Sequence, residues 1–173
     1  MKYTIFAAAL LIASAPAFSL EMRPGLWEIT SDDIQVNGTE MPGMDEMVEQ
    51  MKALPAEQRK MMEDMLTAQG VELGTGGIRM CLSAAQVKSR QLPFQDEAGC
   101  QQQVTNQKDD LWEFSFDCPD ATGKGETRLI SDREVVSIID SQYRTGTQEG
   151  SSRMQSRGKW ISDDCGQLKP LDQ

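Results

Sequence analysis

The stretch LWEFSFDC, residues 111–118, decides the fold class of this chain because apolar and polar side chains alternate from Trp112 to Cys118. Successive side chains of a β-strand point to opposite faces, so the three aromatic residues and Cys118 face one way. Glu113, Ser115 and Asp117 face the other way. The stretch therefore predicts a β-strand with one face packed on a core and one face in water.

Strand-like segments of the same kind precede and follow this stretch. They are RPGLWEIT (23–30), GIRMCL (77–82), CQQQVTNQ (100–107), GETRLIS (125–131), EVVSIIDSQYR (134–144) and SRMQSRGKWIS (152–162). The connections between successive segments are short, which favours an antiparallel meander. Because an exposed sheet edge invites aggregation, such a sheet is expected to be covered by helices or to close into a small barrel.

A methionine-rich segment, at about residues 44–70, interrupts the strands and has a helical period. Met44, Met47 and Met51 recur at three- and four-residue spacing, which places them on one helix face. Pro55 ends that helix and suits the first turn of a second one. The apolar stripe of the second helix is formed by Met61, Met62, Met65 and Leu66.

A helix in water gains most of its stability by burying an apolar face, so both methionine faces are expected to be buried by packing. The predicted fold class is therefore mainly β. It is an antiparallel meander sheet or small barrel with an inserted methionine-rich helical hairpin and two disulfides.

The first residues have the pattern of a secretory signal peptide. Lys2 supplies a positive start, an apolar run follows, and Ala15-Pro16-Ala17 fits the small-x-small pattern that precedes a cleavage site. We expect residues 1–17 to be removed, with cleavage after Ser19 as the alternative. Residues 20–173 have the size of one domain, and no later apolar stretch is long enough to span a membrane. The protein is therefore predicted to be periplasmic or secreted, in a bacterium.

Four cysteines, in an exported chain, predict two disulfides. They are Cys81, Cys100, Cys118 and Cys165, and four cysteines allow three pairings. The pairing Cys81–Cys100 with Cys118–Cys165 is favoured because each bridge then joins the ends of neighbouring elements. A zinc site is disfavoured since no CxxC spacing and no histidine occur in the sequence.

The composition also excludes several functions. The 27 acidic residues outnumber the 17 basic ones, which disfavours binding to nucleic acid and to anionic membranes. The absence of histidine removes the usual general base and metal ligand, and with it the Ser-His-Asp and Cys-His arrangements. The glycine-rich stretches GTGGI (74–78) and TGKGE (122–126) lack phosphate-loop spacing and are predicted to be turns. We expect no cofactor and no metal.

The order of the motifs resembles that of a family of exported bacterial proteins called domain of unknown function 3617. The motifs are RPGLWEIT, MPGM (41–44), LPAEQRKMMEDMLTAQGVELG (54–74), IRMCLS (78–83), WEFSFDC (112–118), GKGE (123–126) and the late DDC (163–165). The resemblance covers almost the whole chain after the signal peptide. It implies an exported, mainly β domain with this cysteine order, and it implies no activity and no catalytic residue.

The leading functional hypothesis is a non-enzymatic binding domain. Methionine is an adaptable apolar side chain found on surfaces that accept varied partners. The candidate ligand or partner face is formed by Met44, Met47, Met51, Met61, Met62 and Met65. This face would hold an apolar small molecule or a protein partner, such as an envelope protein, between the helices and the sheet.

Two alternatives use the same chain differently. Copper(I) prefers thioether ligands, so the methionine-rich helices would suit a periplasmic copper- or metal-binding protein. A carboxylate-dependent hydrolase would use the acidic pairs Asp109-Asp110 or Asp163-Asp164. Adjacent strand residues point to opposite faces and Asp is favoured at turns, so these pairs are expected to have structural roles.

Overall fold

The computed structural model describes residues 21–89 and 99–170. The predicted signal peptide, together with its cleavage site, lies outside the described residues. None of the helices in the described ranges is long and apolar enough to cross a membrane.

Within these ranges the chain forms nine strands and three helices. In chain order they are β1 (Gly25–Val36), β2 (Thr39–Glu40), α1 (Met44–Lys52), α2 (Ala56–Ala68), β3 (Val71–Leu73), β4 (Ile78–Leu82), α3 (Ala84–Ser89), β5 (Gln101–Gln107), β6 (Leu111–Asp117), β7 (Ala121–Ser131), β8 (Glu134–Thr145) and β9 (Gln148–Ser162). The strand predicted from LWEFSFDC is β6.

The strands form one antiparallel sheet that is open, so the sheet prediction is confirmed and the barrel alternative is wrong. The strand order is β3-β4-β1-β9-β8-β7-β6-β5, with β2 beside the end of β1. Strands β5 to β9 are the predicted meander. The first long strand, β1, then enters between β9 and β4. Because β3 and β5 lie at opposite ends of this order and do not pair, the sheet does not close.

Helices α1 and α2 confirm an insertion at the predicted place, but they do not pair along their length as a hairpin. Helix α1 packs on β1, whereas α2 packs on β3. The two helices are therefore consecutive segments that rest on different strands. Helix α3 begins with a reciprocal capping box, in which the Gln86 amide donates to the Ser83 hydroxyl and the Ser83 amide donates to the Gln86 side chain.

One face of the sheet carries the core, as the alternation in β6 predicts. Trp112 and Phe114 are buried and Phe116 packs against them. Phe114 lies opposite Gly125 of β7, and a Cβ at that glycine would be 2.5 Å from the Phe114 ring. TGKGE is therefore part of strand β7 and the turn prediction for it is wrong. Its glycines leave room for aromatic rings on the neighbouring strand, which a local turn pattern does not reveal.

The segment RPG holds the start of β1 against the β7–β8 turn. The Arg23 guanidinium donates to the Asp132 carboxylate at 2.7 Å and lies 5.2 Å from the centre of the Trp160 ring, with Arg133 also 4.9 Å from that centre. Cations over an indole ring are attracted by its electron-rich face. Gly25 has φ +124°, and a Cβ there would meet a carbonyl oxygen at the end of β9 at 2.3 Å. The first position of β1 therefore requires glycine.

The disulfides are Cys81–Cys165 and Cys100–Cys118, so the favoured pairing was wrong. Cys81 of β4 lies opposite Leu26 of β1, and the other neighbour of Leu26 is the last residue of β9. The chain that leaves β9 therefore reaches Cys81 through Cys165. Cys100 and Cys118 lie one residue beyond the paired ends of β5 and β6, so they close that hairpin. The cysteines therefore pair according to the positions of their strands in the sheet and not according to the order of the strands in the sequence.

Candidate functional site

Helix α1 presents the first group of predicted face residues. Its fully buried residue is Val48, on the helix that packs against β1. An α-helix turns by about 100° per residue, so Met44 and Met51 lie next to Val48 and Met47 lies further round the helix. The exposure follows this geometry: Met44 and Met51 are half-buried, and Met47 is 40 % exposed.

Helix α2 presents the second group and is anchored more lightly. Pro55 precedes its first residue, as expected for a proline that begins a helix. Leu66 packs against the sheet core, whereas no residue of α2 is fully buried. Met62 lies beside Leu66 and is half-buried, while Met61 is 74 % exposed and Met65 is 54 % exposed.

The expectation that packing buries both methionine faces is therefore wrong. We call the residues Met44, Met47 and Met51 of α1, with Met61, Met62 and Met65 of α2, the methionine stripes. Each stripe is turned to one side of the residue that anchors its helix, so it runs from half-buried to exposed.

Val48 was missed as an anchor because three methionines outweighed one valine in the helical pattern. Met41, which is 46 % exposed, was also missed because Pro42-Gly43 separates it from the helical period.

The stripes lie among carboxylates. Three ion pairs lie on the helices themselves: Lys52 with Glu49, Arg59 with Glu63 and Lys60 with Asp64. Asp45, Glu46 and Glu57 have no ion-pair partner among the described residues. The helical surface is therefore apolar along the stripes and acidic beside them.

Glu28 holds the turn between β3 and β4, which also contacts the end of α1. Its carboxylate accepts hydrogen bonds from the Thr75 amide at 2.9 Å, the Gly76 amide at 3.1 Å and the Arg79 guanidinium at 2.9 Å. Thr75 and Gly76 belong to the β3–β4 turn, where GTGGI was predicted to be a turn, and Arg79 lies in β4. The Lys52 ammonium of α1 donates to the Thr75 carbonyl at 3.1 Å. The network therefore connects β1, the turn and the end of α1.

The surroundings of Glu28 change its acidity. Burial by itself raises the pKa of Glu28, but the hydrogen bonds from Gly76, Arg79 and Thr75 and the charge of Arg79 outweigh burial and hold the pKa below its ordinary value. A carboxyl group with a lowered pKa in the folded state stabilises that state above its unfolded pKa, at about 4.5. This stability is lost as the pH falls from there through the folded pKa.

We expect Glu28→Gln to lower the free energy of unfolding at pH 7 by about 1.5–3 kcal/mol, because charge-assisted hydrogen bonds are lost. The difference from the unchanged protein should shrink as the pH falls below about 4.5. Urea unfolding followed by circular dichroism between pH 3 and pH 7 measures both effects. The matched control is Glu149→Gln, whose carboxylate is 70 % exposed and pairs with Arg144, and whose cost should stay under about 0.5 kcal/mol. Equal costs for the two variants would contradict this role of Glu28.

The described residues offer little for metal or covalent chemistry. All four cysteines are in disulfides, so none supplies a thiolate. No group of three or more His, Cys, Asp or Glu residues within the described ranges is arranged to hold a metal ion. Among the thioethers, Met61 and Met65 are one turn apart on the same side of α2, whereas Met62 points about 100° away from Met61.

One residue of each acidic pair has a structural contact at a turn. Asp110, in the β5–β6 turn, pairs with Arg128 at 3.4 Å, and its carbonyl accepts a hydrogen bond from the Leu129 amide. Asp164, after β9, accepts a hydrogen bond from the Gly166 amide at 2.9 Å. These contacts connect the chain turns to neighbouring segments.

A cavity of about 470 Å³ lies away from the stripes, beside α3. It is lined by apolar atoms of Val87, Trp112 and Leu129 and by the polar side chains of Lys88 and Gln107. Neither α1 nor α2 borders it. The predicted face and this cavity are therefore separate features of the molecule.

Comparisons with known proteins agree with the resemblance found in the motifs. A family described as "Protein of unknown function (DUF3617)" matches residues 22–165. A protein of Pseudomonas putida, described as "Uncharacterized protein in lpd-3 5'region", is 41 % identical over 137 residues, which cover 79 % of this chain and 96 % of that protein. No solved structure matches the chain. The chain belongs to the DUF3617 family.

Proposed function

We propose that this protein is a non-enzymatic, exported binding domain that recognises a protein partner through the methionine stripes. The observation that carries the proposal is the exposure of Met47, Met61 and Met65 on helices that already pack against the sheet through other side chains. Each helix has its own anchor, Val48 in α1 and Leu66 in α2. The stripes therefore do not have to be buried for the domain to fold.

The shape of this surface supports a protein partner over a small molecule. Small-molecule sites are concave and enclose most of the ligand. A side chain that is 74 % exposed, as Met61 is, contributes contact area to a broad surface and encloses nothing. Methionine suits such a surface because its unbranched side chain adapts to the shape of the partner.

An oxidising compartment also supports the proposal. Two disulfides use all four cysteines, and disulfides persist mainly outside the cytoplasm. Cys100–Cys118 closes the β5–β6 hairpin at one edge of the sheet, and Cys81–Cys165 joins β4, beside the strands that carry the helices, to the segment after β9. A rigid platform with exposed apolar side chains loses little conformational freedom when a partner binds.

The test uses a probe of known chemistry. The probe is an uncharged amphipathic peptide of about 14 residues, with leucines on one helical face and glutamines on the other. Protein with ¹³C-labelled methionine methyl groups reports which methionines contact it by NMR. We expect shifts at Met47, Met61 and Met65 and not at Met80 in the core, with an affinity about tenfold weaker for Met61→Ser/Met65→Ser.

The matched control removes an exposed apolar side chain elsewhere. Ile130 of β7 is 50 % exposed, so Ile130→Ser changes a similar apolar area on another surface and should leave the affinity unchanged. Methyl shifts confined to other methionines, or equal affinity losses for the two variants, would overturn the proposal. Absence of any binding of the peptide would also overturn it.

A further inference from the structure

We propose that the partner segment which occupies the methionine stripes is a basic amphipathic helix of another protein. This inference rests on the proposed function and adds the chemistry of the partner. It follows from the charges beside the stripes and from the helical spacing of the methionines.

The first argument is the charge of α1 and α2. From residue 44 to residue 68 the chain has six carboxylates and three cations. All three cations are held by carboxylates of the same helices, Lys52 by Glu49, Arg59 by Glu63 and Lys60 by Asp64. What these helices offer to a partner is therefore negative charge.

The second argument is where that charge lies. Glu57 is one turn before Met61 and on the same side of α2, since residues four apart are neighbours on a helix surface. Glu46 precedes Met47 in α1 and points about 100° further round the helix, away from its buried side, so it lies on the exposed flank of the stripe. Both carboxylates lack an ion-pair partner among the described residues. An apolar stripe with a free carboxylate beside it complements a segment whose apolar side chains are flanked by Lys or Arg.

The third argument concerns the form of the partner. Exposed methionines one turn apart, such as Met61 and Met65, form a ridge that fits apolar side chains spaced three and four residues apart. That spacing belongs to an amphipathic helix bound by its apolar face. An anionic lipid surface or a nucleic acid would instead be repelled by the free carboxylates.

The negative charge of the helices is part of a larger excess, since the whole chain has 27 acidic and 17 basic residues. Strand β9 carries cations: Arg153 pairs with Asp140 and Arg157 with Glu134, both of β8, and Lys159 lies on the same face of β9. A basic segment attracted only by overall charge would not select α1 and α2. Attraction by the carboxylates of α1 and α2 is therefore distinguished from attraction by the overall charge by reversing charges on the helices and, separately, at a distant carboxylate.

The experiment compares three peptides with the same leucine face of about 14 residues. Their polar face carries lysine, glutamine or glutamate, and binding to the intact domain is measured by fluorescence anisotropy. We expect the lysine peptide to bind about tenfold more tightly than the glutamine peptide at about 20 mM salt, and the glutamate peptide to bind weakest. The advantage of lysine should largely disappear at about 500 mM salt.

Charge reversal assigns the effect to the helices. Glu46→Lys/Glu57→Lys should remove the preference for lysine and leave the affinity for the glutamine peptide unchanged. The matched control, Asp117→Lys, makes a charge change of the same kind at an exposed carboxylate of β6 and should leave the preference intact. Thermal unfolding of each variant checks that the domain remains folded.

The outcomes distinguish this inference from the proposed function. Equal binding of the three peptides at the stripes would overturn the basic partner and leave the proposed function in place. Loss of the preference for lysine in Asp117→Lys as well would overturn the basic partner, because the attraction would then come from the charge of the whole protein. Binding to vesicles of phosphatidylcholine and phosphatidylglycerol through the same methionine methyl groups, without peptide binding, would overturn both.

Discussion

Trp27→Ala is expected to lower the free energy of unfolding by about 3–5 kcal/mol, because it empties the best-buried large site of the core. Trp27 is fully buried, and lies between Met80 of β4 and Trp160 of β9 in the sheet register. Its indole N–H donates to the Arg23 carbonyl at 2.8 Å. Native domains are stable by only about 5–15 kcal/mol, so this single change removes a large share of the total.

Urea unfolding followed by circular dichroism, with the disulfides intact, measures this loss. Trp27→Phe keeps an aromatic ring and loses the N–H bond and some volume, so its loss should be smaller and remains measurable if Trp27→Ala does not fold. Ile130→Ala, at a half-exposed position of β7, is the matched control and should change stability by less than about 0.5 kcal/mol. A loss below about 1 kcal/mol for Trp27→Ala would contradict the position of Trp27 in the core.

The second large effect is expected from the disulfide that crosses the sheet. Cys81–Cys165 closes a loop of 84 residues, whereas Cys100–Cys118 closes one of 18 residues. Because a crosslink restricts the unfolded chain more when the loop is longer, Cys81→Ala/Cys165→Ala should cost about 4–5 kcal/mol and Cys100→Ala/Cys118→Ala about 3 kcal/mol. Cys81 is also buried with Leu26 and Leu168, so packing is lost as well.

The two double variants are matched controls for each other, since both remove two cysteines and leave one bridge. Their free energies of unfolding should be measured under the same non-reducing conditions. Peptide mapping of the unchanged protein without reduction should yield the fragments Cys81–Cys165 and Cys100–Cys118. Fragments that join Cys81 to Cys100 would contradict the order of strands in the sheet. A larger cost for removing Cys100–Cys118 would contradict the predicted effect of loop length.

Several features of the fold follow directly from the sequence. Alternation in residues 111–118 predicts β6 and its buried aromatic face, and the helical period of the methionines predicts an insertion that begins at Met44. The dipeptide Asn37-Gly38 predicts a tight turn, and both residues have positive φ between β1 and β2. Each of these patterns depends on residues that are close together in the chain.

The candidate site was predictable only in part. The methionines were found by their spacing, but the spacing did not show which side of each helix would be buried. That side depends on the strand beneath, where Val48 rather than a methionine rests on β1. The role of Glu28 was also hidden, because its partners are 47 to 51 residues away in sequence.

The sequence by itself determined the class of the fold, the place of the helical insertion and the availability of four cysteines for two bridges. Only the tertiary structure decided the order of the strands, the pairing of the cysteines and the exposure of the methionine stripes. The reason is physical. Side-chain direction within a strand or helix follows from local backbone geometry. The neighbours of β1 are set by contacts between distant segments, since Ile29 pairs with Ile78 of β4 and Val36 pairs with Ser152 of β9.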